Sequence, residues 1–398
     1  MPRLSCPVGS RVVLITDSMA GPPAQNRPAI ALAEELSSKY TVEFYAPCVE
    51  GESRELVGRF GFRTIRSECG YKYPGQATIE NLIPRVDWGW VGDAVVVNFS
   101  NQLPVPSHVY YFQGFLSEFS RDFRRYWQGR QLRYKLAISI IGHPVFWFVD
   151  RVWAGALRRS RFVVANSFLA AHQLRRWGVR YVDVVTPPIN RWLIDEYLRV
   201  EPQGDREYVL VHVGKETVYP WLYRAIKAVV GELRDKVKTV FIFGAKFNDV
   251  PRWFGKKLYE LHERYGACVQ YVMNHIAYIR ERDMPRLYGG ALLTIFTYNH
   301  EPYGYVPIES LMAGVPVISI GPGVDGAFHG PFHTAQRYKH AAWVDPDLIE
   351  DAVPEIIKEW GDLTVPIEER QGVALDHDPR AYAEAMDTYI SRALGGSE

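Results

Sequence analysis

Two glutamates, Glu301 and Glu309, flank the seven-residue string Pro-Tyr-Gly-Tyr-Val-Pro-Ile. Glu301 follows an apolar strand pattern and precedes a Pro-Tyr-Gly turn, which places it in the loop at the strand's carboxyl end, where open α/β sheets bind ligands. Pro307 suits the first turn of a helix. Gly314 suits the left-handed position just past the helix end, and a buried strand at 316–320 follows. Glu309 then falls in the first helical turn, where a carboxylate favours the positive end of the macrodipole even without a ligand. Carboxylates at such a turn hydrogen-bond hydroxyls, and its free amides meet an anionic phosphate. Those are the polar demands of a nucleotide sugar.

The elements that must position these groups alternate short β-branched or aromatic runs with longer helical patterns, the signature of βαβ units and a parallel sheet. The first series of predicted strands is 11–16, 41–46, 93–99, 108–112, 162–166 and 182–186. Turn-forming residues at 187–190 and a polar run at 201–207 interrupt it. A second series follows at 208–213, 239–243, 269–272, 292–296 and 316–320. The expected architecture is therefore two Rossmann-like, doubly wound parallel-sheet domains facing a central cleft. Their spans are 1–190 on the acceptor side and 208–375 on the nucleotide-sugar side, joined by a linker at 191–207. A terminal helix within 376–398 is placed to cross back to the first domain.

The chain has 398 residues, enough for two cores, with 47% hydrophobic and 23% charged residues, a folded composition. Its net charge of +1 lacks the basic excess of a nucleic-acid binder. Cys6, Cys48, Cys69 and Cys268 show no paired spacing, so neither a zinc site nor a disulfide framework is expected, and a reducing, cytosolic setting fits. No signal peptide is expected, because the first twenty residues lack a basic segment followed by an apolar run, and no spanning helix, because no run of about 18 apolar residues occurs. No Asp-x-Asp follows a predicted strand, and no G-x-S-x-G, H-E-x-x-H or Walker sequence is present.

The 301–321 string resembles the retaining glycosyltransferases of family 4, which have the two-Rossmann-domain GT-B architecture. The resemblance extends to Met284-Pro285-Arg286-Leu287-Tyr288 and to Val211-His212-Val213-Gly214-Lys215. It implies that Glu309 holds the ribose hydroxyls of a UDP- or GDP-sugar and that Glu301 contacts the transferred hexose near the reacting centre. It places Gly214, Lys215 and the backbone of Tyr303, Gly304 and Tyr305 against phosphate and sugar. It also implies transfer with retention, without a metal or other cofactor, to a glycan, a lipid-linked molecule or another acceptor. Three other readings stay open: a nucleotide-sugar epimerase, a non-catalytic member that binds nucleotide sugar or membrane, and a glycogen-synthase-like or phosphorylase-like enzyme.

The sequence departs from the family pattern in three places. Lys215 stands where the family has arginine, and Pro220 stands where it has a second, diphosphate-binding lysine. Lysine keeps the charge but loses the two-pronged fit to phosphate. Gln113 occupies the position of a histidine that touches the donor sugar, which makes it the second catalytic candidate, while His108 reads as a surface or packing residue. The loop after the first strand carries one glycine, Gly21, where two are common. Gly21 permits close backbone approach, and Asp17 either meets an acceptor hydroxyl or only shapes the turn.

Between Arg121 and Arg161 stand ten basic residues against two acidic ones, interleaved with aromatics and enclosing the mostly apolar run 136–149. This segment fits a helix on an anionic membrane surface, which would make the protein cytoplasmic and peripheral on an inner membrane face. A buried helix with a solvated arginine face fits as well.

Overall fold

The computed structural model describes residues 10–20, 26–70, 85–115, 140, 142–202, 206–212, 221–243, 252–266, 268–272, 281–297, 302–321 and 330–395. The chain divides into two compact units, one of Met1–Leu116, Val145–Arg191 and His377–Glu398 and the other of Ser117–Pro144 and Trp192–Asp376.

The first unit contains β1 (Arg11–Ile15), β2 (Met19–Ala20), β3 (Thr41–Ala46), β4 (Val49–Glu50), β5 (Phe62–Thr64), β6 (Val95–Asn98), β7 (Val109–Phe112), β8 (Phe162–Ala165) and β9 (Asp183–Val184). Seven of these form one sheet in the order β5-β3-β1-β6-β7-β8-β9, and β2 pairs with β4 apart from it. All the pairings are parallel. The apolar runs of β1, β6 and β7 are continuous rather than alternating, because helices or loops cover both faces of a parallel sheet. Val12 and Leu14 pack on one side with the helices Arg27–Leu36 and Pro379–Ala393, while Val13 and Ile15 pack on the other with Val91, Leu103 and Val105.

The terminal helix Pro379–Ala393 buries Tyr382, Ala383, Met386 and Ile390 in that first core. Asp387 fixes its register, accepting from Lys39 Nζ at 2.6 Å and from the Tyr40 hydroxyl at 2.7 Å.

The second unit contains β10 (Tyr208–His212), β11 (Thr239–Phe243), β12 (Cys268–Val272), β13 (Ala291–Phe296), β14 (Val317–Ile320) and β15 (Ala341–Val344). They form a parallel sheet in the order β12-β11-β10-β13-β14-β15. Numbered within the unit this is 3-2-1-4-5-6, the doubly wound order, whose direction reverses between β10 and β13. The first unit follows the same rule, with its reversal between β1 and β6.

Several expectations are corrected. β2, β4, β5 and β15 lie outside the predicted strands: β2, β4 and β5 are two or three residues long, and β5 and β15 sit at sheet edges. Recognising β15 overturns the absence of an Asp-x-Asp after a strand, because Asp345-Pro346-Asp347 follows it directly. Asp345 there accepts a bond from the Asp347 amide at 2.9 Å, capping a short 3-10 turn at the sheet edge. The expected linker contains the helix Arg191–Arg199.

Cys48 and Cys69 form a disulfide, against the expectation of unpaired cysteines. Pairing of β3 with β5 brings together the segments that follow these strands, a proximity that 21 residues of separation conceal. The cysteine-based argument for a reducing compartment goes with it. Among the described residues no helix is long and apolar enough to cross a membrane.

Candidate active site

In each unit, the predicted residues that the structure describes lie at the carboxyl ends of strands at or beside the reversal point. In the second unit the chain leaves β13 and enters the helix Tyr305–Met312 through Gly304, whose φ is 82°. Glu309 is the fifth helical residue rather than part of the first turn, and it is 4% exposed. The helix begins two residues before Pro307, because the left-handed Gly304 closes the turn earlier than expected. The macrodipole account of Glu309 weakens accordingly, since that effect is confined to the first turn.

The helix is held firmly at its far end. Gly314 has a φ of 83°, its amide bonds the Leu311 carbonyl, and the Val315 amide bonds the Ser310 carbonyl, each at 3.0 Å. This is a Schellman motif, which satisfies carbonyls that a helix end leaves open. The Ser310 hydroxyl lies 2.8 Å from Thr294 Oγ1 on β13 and 2.9 Å from the Val315 carbonyl, tying the helix to the sheet.

Tyr303 shapes the near end. Its ring meets that of Tyr305 edge-on at 5.1 Å, and burial pushes its hydroxyl pKa well above the ordinary phenol range. Gly330, which begins the helix Gly330–Arg337, presses against the Tyr303 backbone so closely that a Cβ there would stand 1.6 Å from the Tyr303 carbonyl oxygen. Glu301, Gly214 and Lys215 lie outside the described residues.

In the first unit, Asp17 follows β1 and is 4% exposed. Its Oδ1 accepts from the Ser100 hydroxyl at 2.7 Å and from the Gln102 amide at 2.8 Å. Gln102 Oε1 in turn accepts from the Ser18 amide at 2.9 Å and from the Ser18 hydroxyl at 2.7 Å. The loops after β1 and β6 are thus stitched together across the reversal point. These contacts favour the turn-shaping role of Asp17.

Gln113, just past β7, donates from Nε2 to the Phe99 carbonyl at 3.1 Å and so joins the same cluster. His108 accepts the Val96 amide on Nδ1 at 3.0 Å and is a surface residue. Gly21 lies outside the described residues, as do Arg121, Arg124, Arg125, Arg130, Arg133 and Lys135. The helix His143–Arg159 exposes Trp147 at 45% and Phe148 at 53% while burying Trp153.

Sequence reasoning missed Asn98, Ser100 and Gln102, although the polar run after Val95-Val96-Val97 was a visible turn signal. It also missed Arg370 and Gly330, whose partners are distant in sequence. A cavity of about 690 Å³ opens in the second unit beside Trp192, Arg282 and Arg286. Gly289 and Gly290 in its wall precede β13, so it lies at the amino end of that strand, and no predicted site residue lines it.

Two doubly wound, Rossmann-like units within one chain define the GT-B fold, the architecture of many glycosyltransferases. No protein-family model matches the sequence, and no curated protein matches it at the sequence level. Solved structures do match in fold. A sucrose-phosphate synthase from Thermosynechococcus elongatus is 15% identical with a TM-score of 0.62, over 98% of this chain and 100% of that one. Anabaena HepE, in complex with UDP and glucose, is 15% identical with a TM-score of 0.60, over 96% and 99%. A glycosyltransferase from Rickettsia africae is 12% identical with a TM-score of 0.58, over 98% and 100%.

Proposed function

We propose that the protein is a retaining, metal-independent glycosyltransferase of family 4 that moves a hexose from a UDP- or GDP-sugar to a glycan, lipid-linked or other acceptor. One observation carries this reading: the turn Tyr303–Gly304 and the helix bearing buried Glu309 follow β13 at the second sheet's reversal point, where doubly wound sheets bind nucleotides. The fold shared with HepE, which was solved with UDP-glucose, supports the donor class.

Glu309 would take the ribose hydroxyls and Glu301 the transferred sugar. Lys215, Gly214 and the amides at Tyr303, Gly304 and Tyr305 would meet the diphosphate, and the departing phosphate would accept the acceptor's proton. Catalysis of this kind rests on positioning and on stabilising charge at the leaving diphosphate. Gln113 would serve the sugar from the first unit, while Asp17 and Gly21 would shape the acceptor side.

Exposed Trp147 and Phe148 beside Arg151 support a peripheral attachment to an anionic membrane. The test is thermal unfolding with UDP-, GDP-, ADP- and dTDP-sugars, in which a ligand at 100 times its Kd stabilises by about 2.7 kcal/mol. A selective upward shift that Glu309→Ala abolishes supports the donor site. No shift with any donor sinks it in favour of a non-catalytic protein, and conversion of a free nucleotide sugar without acceptor would identify an epimerase.

A further inference from the structure

We propose that the Cys48–Cys69 disulfide is a thiol-exchange latch that holds the loop after β1, the loop carrying Asp17, in its ordered form. The inference goes beyond the proposed activity, and its test does not depend on that activity.

A short chain of contacts connects the disulfide to the loop. The Cys48 carbonyl accepts the Met19 amide at 3.0 Å, and Met19 and Ala20 pair with Val49 and Glu50 as β2 and β4. Glu50 Oε1 accepts the Cys69 amide at 2.6 Å, so the disulfide and this bond clamp β4 from the same segment. On the other side of β2, Ser18 is bonded to Gln102, and Gln102 to Asp17. A ladder of two residues per strand has no independent stability in water. Its order comes from what anchors it, which is the burial of Met19 and Val49 in the first core together with the disulfide, the one covalent cross-link among the described residues.

The two sulfurs are not equivalent. Cys48 is 0% exposed and Cys69 is 8% exposed, so Cys69 is the residue nearer the solvent. A small dithiol can act there as the reductant. Its thiolate attacks Cys69 Sγ, the Cys48–Cys69 bond breaks, and Cys48 leaves as a thiolate that takes up a proton. The second thiol of the reagent then attacks the mixed disulfide, closing the reagent into a cyclic disulfide and releasing Cys69 as a thiol. Two electrons and two protons pass to the protein, and the dithiol is oxidised.

With the bond broken, segment 65–70 keeps the packing of Ile65 and hydrogen bonds such as those from the Ile65 amide to the Ala46 carbonyl and from the Arg66 amide to the Pro47 carbonyl. The β2–β4 ladder keeps the burial of Met19 and Val49, one side chain from each strand, but loses its covalent anchor. The sheet itself does not, because β1, β3 and β6 are held by their own ladders and buried faces.

The experiment compares the full chain in its oxidised form and after dithiothreitol treatment, following thiol alkylation by mass and amide hydrogen exchange by peptide. The expected result is alkylation of both cysteines after reduction and exchange faster by about tenfold or more at Met19 and Ala20, with β1, β6 and the second unit unchanged. The variant Cys69→Ser should show the same local rise without reductant. Equal exchange at Met19 and Ala20 in both forms overturns the latch. So does a rise that spreads through β1 and β6, which would make the disulfide a staple of the whole unit, or a failure of the native protein to react with the dithiol.

Discussion

Arg370 donates from Nε to the carbonyl of Met312 at 2.8 Å, and the same guanidinium reaches the carbonyls of Tyr197 at 2.7 Å and Val200 at 2.8 Å. One side chain, 5% exposed, therefore closes the carboxyl ends of two helices, and one of them is the helix that carries Glu309. Burial lowers the Arg370 pKa, yet the cation is held where helix-end carbonyls concentrate negative charge.

Arg370→Met removes those donors from the two helix ends, the buried Met312 carbonyl among them, so a loss of about 3 kcal/mol in urea unfolding is expected. Arg370→Lys should recover less than half, because one ammonium does not span both helix ends. A change within 0.5 kcal/mol for Arg370→Met would count against the capping role.

Glu309→Ala should weaken binding of the preferred nucleotide sugar by roughly tenfold to a hundredfold, the cost of a charge-assisted hydrogen bond, read by titration calorimetry. Glu301→Ala should lower the transfer rate with a smaller effect on donor affinity. Unchanged transfer in both variants would remove the site assignment.

Gly330→Ala places a methyl group against the Tyr303 carbonyl, where no flexible side chain is present to yield. A loss of about 2 kcal/mol or more is expected, together with weaker nucleotide-sugar binding, because the Tyr303 turn must move. Wild-type stability for the variant would show that the helix Gly330–Arg337 shifts freely.

His108 has its pKa lowered, first by burial and then by the Arg161 charge, and its Nδ1 must stay unprotonated to accept the Val96 amide. The unfolded chain then binds a proton more readily than the folded one. Stability falls as pH drops through about 6.5, the unfolded value, and the dependence levels off below the folded pKa. Replacing His108 with Gln should flatten that part of the Tm–pH curve. An unchanged slope would assign the dependence to other groups, His333 among them, whose pKa burial also lowers.

The sequence alone revealed most of the parallel strands, because both faces of such a strand are buried and its apolar run is continuous. The strands it concealed are β2, β4 and β5, each only two or three residues long, and the four-residue β15 at a sheet edge, all too short for a clear pattern. It also determined the turn and helix around Glu309, since Pro307 and Gly314 encode helix start and stop within a dozen residues. The exact start was lost because Gly304, and not Pro307, sets it through its left-handed backbone.

Only the tertiary structure decided the rest. The Cys48–Cys69 bond, the Asp17–Gln102 stitch, the Gly330–Tyr303 contact and the Arg370 cap each join groups separated by between 21 and 173 residues. Local spacing carries no trace of such pairs. They exist because strand order in a doubly wound sheet places distant loops side by side, and that order is a property of packing rather than of neighbouring residues.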